Sequence, residues 1–326
     1  MRMVVLSKPA PLDDHYASIK TCKPRISVFK GIPSINLRDP KAKTLIIQAC
    51  QEFGFFKLLN HGVPMETIAR LEAEALSFFN LPRSVKDKAG PPNPFGYGTK
   101  GIGPNGDVGW IEYLLINTDQ NPEISRSAVK DYVMEVKAVA YEVVELMAEG
   151  LGIEQRDVWS KMLREESDWC LRLNHYPISR DLQALSGRKM IGFGEHTDPQ
   201  IISLLKSNNT SGLQICLKDG TWVSVPPDHT SFFVTVGDAL QVMTNGRLKS
   251  VRHRVMTNSL KPRISMIYFG GPPLSETIRP LPSLMAKGEE SLYNEFTWRE
   301  YKASAYKSRL GDYRLGLFEK ASTTGH

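Results

Sequence analysis

The chain has 326 residues, 41% apolar and 23% charged, a composition that excludes a disordered, collagen-like or disulfide-scaffold protein. Forty-one Lys and Arg against 35 Asp and Glu leave a formal charge of +6. The basic residues are scattered, so the excess favours small anionic ligands and argues against nucleic acid.

Four widely spaced cysteines (Cys22, Cys50, Cys170, Cys216) form no CxxC pair and read as reduced thiols. The apolar runs are too short for a secretory leader or a bilayer span. The expectation is a soluble cytoplasmic protein with no membrane partner, and the nucleus as a second compartment. In chain order the expected segments are an N-terminal extension (1–30), a mixed α/β region (31–125), a helical connection (126–169), a strand-rich core (170–275) and a C-terminal helical segment (276–326).

Apolar spacing predicts a short strand over Ile32–Leu37 and a helix over Lys41–Phe53. A compact strand is expected over Phe55–Leu59, then a helix over Pro64–Phe79 with Pro64 in its first turn. From Gly90 to Gly109, 11 of 20 residues are Gly or Pro, which predicts an irregular loop. Its Phe95, Tyr97 and Lys100 make a ligand-covering loop as reasonable as a solvent-exposed linker. A strand is expected over Trp110–Ile116 and a long helix over Ala128–Glu149, closed by Gly150.

After Cys170 short β-branched or apolar runs recur: Leu171–Tyr176, Ile191–Gly194, Ile201–Leu205, Leu213–Leu217, Trp222–Val225, Ser231–Val236, Val251–Val255 and Ile264–Phe269. Turn residues separate most of them. The fold class this implies is α+β, a two-sheet jelly roll or barrel flanked by helices with a mixed α/β region before it. A last helix should begin at Thr297, where Glu300 completes a capping box, and stop at Gly311.

The chemistry begins at His196-Thr197-Asp198. In extended chain, residues i and i+2 face the same side, so the imidazole and carboxylate can share one ion. Alone, such a pair reads as an ordinary surface pair. His253 follows 54 intervening residues later on another expected strand. Two His and one carboxylate can hold one face of an octahedral metal, which suits Fe(II) that must also bind a co-substrate and O2. The same triad could hold a Zn-bound water, so it does not choose by itself.

Arg263-Ile264-Ser265, ten residues past His253, favours the iron. An Arg facing into a barrel is costly unless it meets an anion, and a guanidinium with a neighbouring hydroxyl suits a carboxylate. A dicarboxylate that chelates the metal and is capped by Arg263, Ser265 and Tyr176 would be 2-oxoglutarate.

At these residues the chain resembles the plant 2-oxoglutarate/Fe(II)-dependent dioxygenases, over nearly its whole length. Within them it is most similar to gibberellin 2-oxidases acting on nineteen-carbon gibberellins. Supporting runs are Phe53-Gly54-Phe55-Phe56-Lys57, Asn60-His61-Gly62-Val63, Pro94-Phe95-Gly96-Tyr97-Gly98, Asn105-Gly106-Asp107-Val108-Gly109-Trp110, the stretch from Gly192 to Gln200, Tyr268-Phe269-Gly270-Gly271-Pro272-Pro273 and Tyr306-Lys307-Ser308-Arg309-Leu310-Gly311-Asp312.

The resemblance implies a double-stranded β-helix core and Fe(II) on His196, Asp198 and His253. It further implies 2-oxoglutarate on Tyr176, Arg263 and Ser265, O2 as second co-substrate and ascorbate as reductant. The reaction would be 2β-hydroxylation of a gibberellin, which inactivates the hormone, with 2-oxoglutarate going to succinate. Tyr97, Lys100, Lys302 and Tyr306 are the expected substrate contacts, Lys302 and Tyr306 sharing a helical face at i and i+4. Relatives carry Arg where this chain has Gly101, so Lys100 would have to hold the substrate carboxylate. The stretch from Asn117 to Asp131 is also expected to be about a dozen residues short, which would trim the following helix or a substrate wall. Rival readings are a gibberellin 3-oxidase, a flavonoid oxidase, or a hormone-binding protein that turns over poorly.

Overall fold

The computed structural model describes residues 19–22, 29, 31–117, 124–164, 166–178 and 189–321. In chain order, β1 (Thr21–Cys22), β2 (Ser34–Asn36), α1 (Ala42–Glu52), β3 (Phe55–Leu59), α2 (Met65–Asn80) and α3 (Arg83–Lys86) precede a hairpin of β4 (Gly96–Ile102) and β5 (Asp107–Ile116). Then come α4 (Arg126–Gly150) and α5 (Val158–Arg164). The strand-rich half runs β6 (Cys170–Tyr176), β7 (Lys189–His196), β8 (Ile202–Ser207), β9 (Leu213–Cys216), β10 (Trp222–Ser224), β11 (Phe232–Val236), α6 (Asp238–Met243), β12 (His253–Met256) and β13 (Arg263–Gly270). A small pair, β14 (Thr277–Ile278) and β15 (Phe296–Thr297), leads into α7 (Trp298–Lys307).

Eight strands form one sheet in the order β2-β3-β11-β8-β13-β6-β5-β4, and five form a facing sheet in the order β1-β7-β12-β9-β10. This is the expected jelly roll, with an extension: strands from the 31–125 region join the same sheet as those from 170–275. The alternation of side chains across a strand sorts the large sheet into two faces. On one face Leu114, Leu171, Leu173, Ile202, Leu204, Ile264, Met266 and Tyr268 pack under Tyr132, Val136, Ala140, Val143 and Met147 of α4. The intervening residues turn toward the small sheet and line a cavity.

The Gly/Pro-rich stretch departs from expectation, because β4 occupies seven of its residues and β5 begins inside it. The strand survives because glycine answers a packing need here: Gly98 pairs with Tyr113, and a Cβ at 98 would lie 2.5 Å from the Tyr113 ring. The long helix begins at Arg126, capped by Ser125, and contains Gly150 as its last residue. It spans 25 residues; in the stretch before it, 118–123 lie outside the described residues. The capping box of Thr297 and Glu300 forms as expected, but α7 stops at Lys307, where Ser308 turns extended and donates its hydroxyl to Ser304 O, short of Gly311.

Glu112 locks the back of the hairpin. Its carboxylate accepts from Lys86 Nζ at 2.6 Å, Tyr97 OH at 2.7 Å and His175 Nδ1 at 2.8 Å. Burial would raise its pKa, but these three partners outweigh burial and bring it from 4.5 to about 2. A pKa depressed in the folded state stabilises fully above about pH 4.5 and is lost as pH falls toward 2. The drop corresponds to roughly 3 kcal/mol. Glu112→Gln is therefore expected to lower unfolding stability at pH 7 by an amount of that order, and the gap from wild type should narrow in urea melts at pH 3. A gap independent of pH would refute the carboxylate's role.

Candidate active site

The metal-ligand candidates meet where the small sheet frays. His253 on β12 pairs directly with His196, the last residue of β7, and the β7–β12 ladder shifts register beside them. The two imidazoles lie with ring centroids 4.2 Å apart. His196 Nδ1 sits 2.8 Å from Gly194 O and His253 Nδ1 3.1 Å from Val251 O. Each ring thus donates from Nδ1 and leaves Nε2 free to bind an ion. Asp198 Oδ1 lies 3.7 Å from His196 Nε2 and 3.6 Å from His253 Nε2. Its other oxygen accepts from Thr235 Oγ1 at 2.9 Å.

The ligand atoms of His196, Asp198 and His253 all fall within 4.8 Å of one another, as three donors on one ion require. Burial, reinforced by the neighbouring His253, pushes the His196 pKa well below its ordinary value, so this imidazole is neutral and able to ligate near pH 7. Burial opposes ionisation of Asp198, but the two imidazoles and hydroxyl bonding bring its pKa below the ordinary value. Gly237 permits this loop's position: a Cβ there would sit 1.8 Å from Gln200 O.

At the other end of β6, Arg263 pairs with Tyr176 across the strands and Ser265 with Asn174. The Arg263 guanidinium lies 5.4 Å from the centre of the Tyr176 ring. Arg263 is 1% exposed, yet its Nη1 has no hydrogen-bond partner. A buried guanidinium with an unmet donor fits a missing carboxylate, so the residues present suit 2-oxoglutarate, as the His-Asp-His set suits Fe(II).

The cavity between the sheets has a volume of about 270 Å³, and its lining includes Tyr176, Ser265, Trp298, Lys302 and Tyr306. Apolar Phe95, Ile102, Leu115, Phe193, Leu205 and Ile267 line much of it. Of the expected substrate contacts, Lys302 and Tyr306 border this cavity. Lys302 is not the solvated lysine of a bare helix surface, since its Nζ is held by both oxygens of Asp168 at 2.8 and 2.7 Å.

Tyr97 and Lys100 do not line the cavity. Tyr97 is buried on the far face of the hairpin, edge-on to Phe78 at 5.8 Å, its hydroxyl on Glu112. Lys100 adopts a left-handed conformation at the irregularity between Thr99 and Gly101. Gly101 leaves open space, with no atom nearer than Thr99 O at 4.0 Å to an added Cβ. Arg172 was missed from the sequence: it lines the cavity between the Tyr113 and Phe193 rings, at 4.1 and 4.7 Å. Its even spacing from Asn174 and Tyr176 was the available signal.

Residues 167–272 match the 2OG-Fe(II) oxygenase superfamily, and residues 32–134 match the N-terminal region of the non-haem dioxygenase in morphine synthesis. The chain is 60% identical to Gibberellin 2-beta-dioxygenase 2 of Arabidopsis thaliana over 99% of both chains. The chain belongs to the gibberellin 2-beta-dioxygenase family of 2OG-Fe(II) oxygenases. Another member, the Gibberellin 2-beta-dioxygenase of Phaseolus coccineus, is also 60% identical, over 98% of this chain and 99% of the relative. Among solved structures, JOX2 in complex with 2OG, Fe and JA superposes with a TM-score of 0.82 at 26% identity, covering 97% of this chain and 96% of that one. Fe(II) and 2-oxoglutarate are therefore the cofactor and co-substrate of this family member, and the Zn-hydrolase reading is set aside.

Proposed function

We propose that this protein hydroxylates nineteen-carbon gibberellins at the 2β position, consuming one 2-oxoglutarate and one O2 and releasing succinate and CO2. The observation that carries this is full-length 60% identity to gibberellin 2-beta-dioxygenases together with an intact His196, Asp198 and His253 cluster. We assign the iron to these three residues and the distal carboxylate of 2-oxoglutarate to Arg263, Ser265 and Tyr176. Bound iron and 2-oxoglutarate, with O2, supply the oxidising power that converts a C–H to a C–OH.

The chain's own residues do the rest. Imidazoles fixed through their Nδ1 atoms and a carboxylate steadied by Thr235 hold the ion without reorganisation. The apolar walls at Phe193, Leu205 and Ile267 suit a rigid diterpenoid and exclude water from the reacting carbon. Lys302 and Tyr306 stand at the mouth, where the substrate's polar groups would enter.

Among the described residues no helix is long and apolar enough to cross a membrane, and Cys22, Cys50, Cys170 and Cys216 are all free thiols. A cytoplasmic or nuclear location fits both facts. The test is incubation with Fe(II), ascorbate, 2-oxoglutarate and a panel of nineteen- and twenty-carbon gibberellins, with products identified by mass spectrometry. The expected product is a 2β-hydroxylated nineteen-carbon gibberellin formed one-for-one with succinate. Succinate formation that no gibberellin stimulates, with no hydroxylated product, would overturn the proposal.

A further inference from the structure

Three cationic side chains border the cavity: Arg172, Lys302 and Arg314. Two of them are already engaged. Lys302 is held by Asp168, and Arg314 donates Nη1 to Thr197 O at 3.3 Å while acting on the Asp238 carboxylate. Arg172 differs. Its Nε donates to Asn174 Oδ1 at 2.8 Å, the two aromatic rings clamp its plane, and its Nη2 is buried with no partner. Among the described residues no carboxylate pairs with it. A desolvated guanidinium, rigidly held and with an open donor, is arranged for an anion that the protein does not itself supply.

We infer that Arg172 binds the carboxylate of the gibberellin substrate. This rests on the function proposed above and adds the residue that recognises the acid. The competing anion is the distal carboxylate of 2-oxoglutarate, since Arg172 Nε donates to Asn174 Oδ1 and Asn174 Nδ2 to Ser265 Oγ at 3.4 Å, but Arg263 is the cation already beside Tyr176. Arg263 and Ser265 serve that end. Gly101, with no side chain, cannot be the acid's anchor, and Lys100 lies outside the cavity. Arg172 instead sits on the strand itself, and a carboxylate docked there has its apolar skeleton against Phe193 and Ile267.

The experiment compares a gibberellin acid with its neutral carboxamide of the same shape, on wild type, Arg172→Gln and Arg172→Lys. Wild type should prefer the acid by at least about tenfold in kcat/KM, the scale of one charge-assisted contact. Arg172→Gln should raise the KM for the acid by about 10- to 100-fold and bring the acid-to-amide ratio close to one, whereas Arg172→Lys should keep part of the preference. Equal use of acid and amide by wild type overturns the inference without any variant. So does an acid preference that persists in Arg172→Gln, or a rise in KM confined to 2-oxoglutarate. If Arg172→Gln does not fold, the wild-type ratio and the Lys variant decide. Failure of wild type to oxidise any gibberellin would instead strike the function itself.

Discussion

Asp198→Ala is expected to abolish Fe(II)-dependent decarboxylation of 2-oxoglutarate, a loss on the order of 10³ or more. Asp198 is the one anionic donor of the cluster and lies within 4 Å of both imidazole Nε2 atoms. Without it the ion would be held by two imidazole nitrogens alone, with no negative charge to offset its own. Oδ2 is held by Thr235, so the variant also leaves a buried hydroxyl without its acceptor. The loss should appear first as iron content, measured by metal analysis after anaerobic reconstitution, and then as succinate formation. Iron retained in full with undiminished succinate would remove Asp198 from the ligand set. Wild-type succinate formation in the same assay separates a working enzyme from a hormone-binding protein that turns over poorly.

Arg263→Met should separate stability from function in opposite directions. The guanidinium is among the largest fully buried side chains, no carboxylate pairs with it among the described residues, and Nη1 is unmet. Burial lowers its pKa, which reports the same desolvation cost. An apolar side chain of similar length relieves that cost, and the protein free of 2-oxoglutarate is expected to gain about 1–4 kcal/mol in stability. The KM for 2-oxoglutarate should rise by about 100-fold, since two charge-assisted hydrogen bonds are lost. Chemical denaturation without co-substrate and succinate kinetics check the two halves. A less stable variant with an unchanged KM would show that Arg263 is a structural residue whose partner lies elsewhere.

Much of this was legible in the strand half of the chain, for a physical reason. Strands with one face buried must alternate, so Arg263 and Ser265 stand two apart on β13, and the eight apolar runs coincide with strands to within a few residues; Asp198 lies two residues past His196, in the loop that follows β7. The hairpin was not legible, because Gly98 is there for a tyrosine fifteen positions away and composition alone reads glycine as a turn. Tyr97 was assigned to the substrate from its neighbourhood in sequence, but which face of β4 it occupies is settled by Phe78 and Glu112, on other elements. Lys302 illustrates the same limit: Asp168 lies 134 residues earlier, and no local pattern announces the pair. Arg172 was readable by parity alone, but its significance depends on Tyr113 and Phe193, which meet it only in the folded sheets.

Thr197, between two of the metal ligands, donates its hydroxyl to Asp238 Oδ2 at 3.0 Å, and the same oxygen accepts from Tyr301 OH at 2.6 Å on α7. Arg314, from the segment after α7, reaches the Thr197 carbonyl. The helix that carries Lys302 and Tyr306 to the cavity mouth is thereby bolted to the loop that carries Asp198. Mouth and metal form one mechanical unit, so a force that tilts the helix outward is transmitted to the loop beneath it through a single carboxylate. Selection for a wider mouth would act on the iron at the same time, and substrate range and metal retention would evolve as one trait.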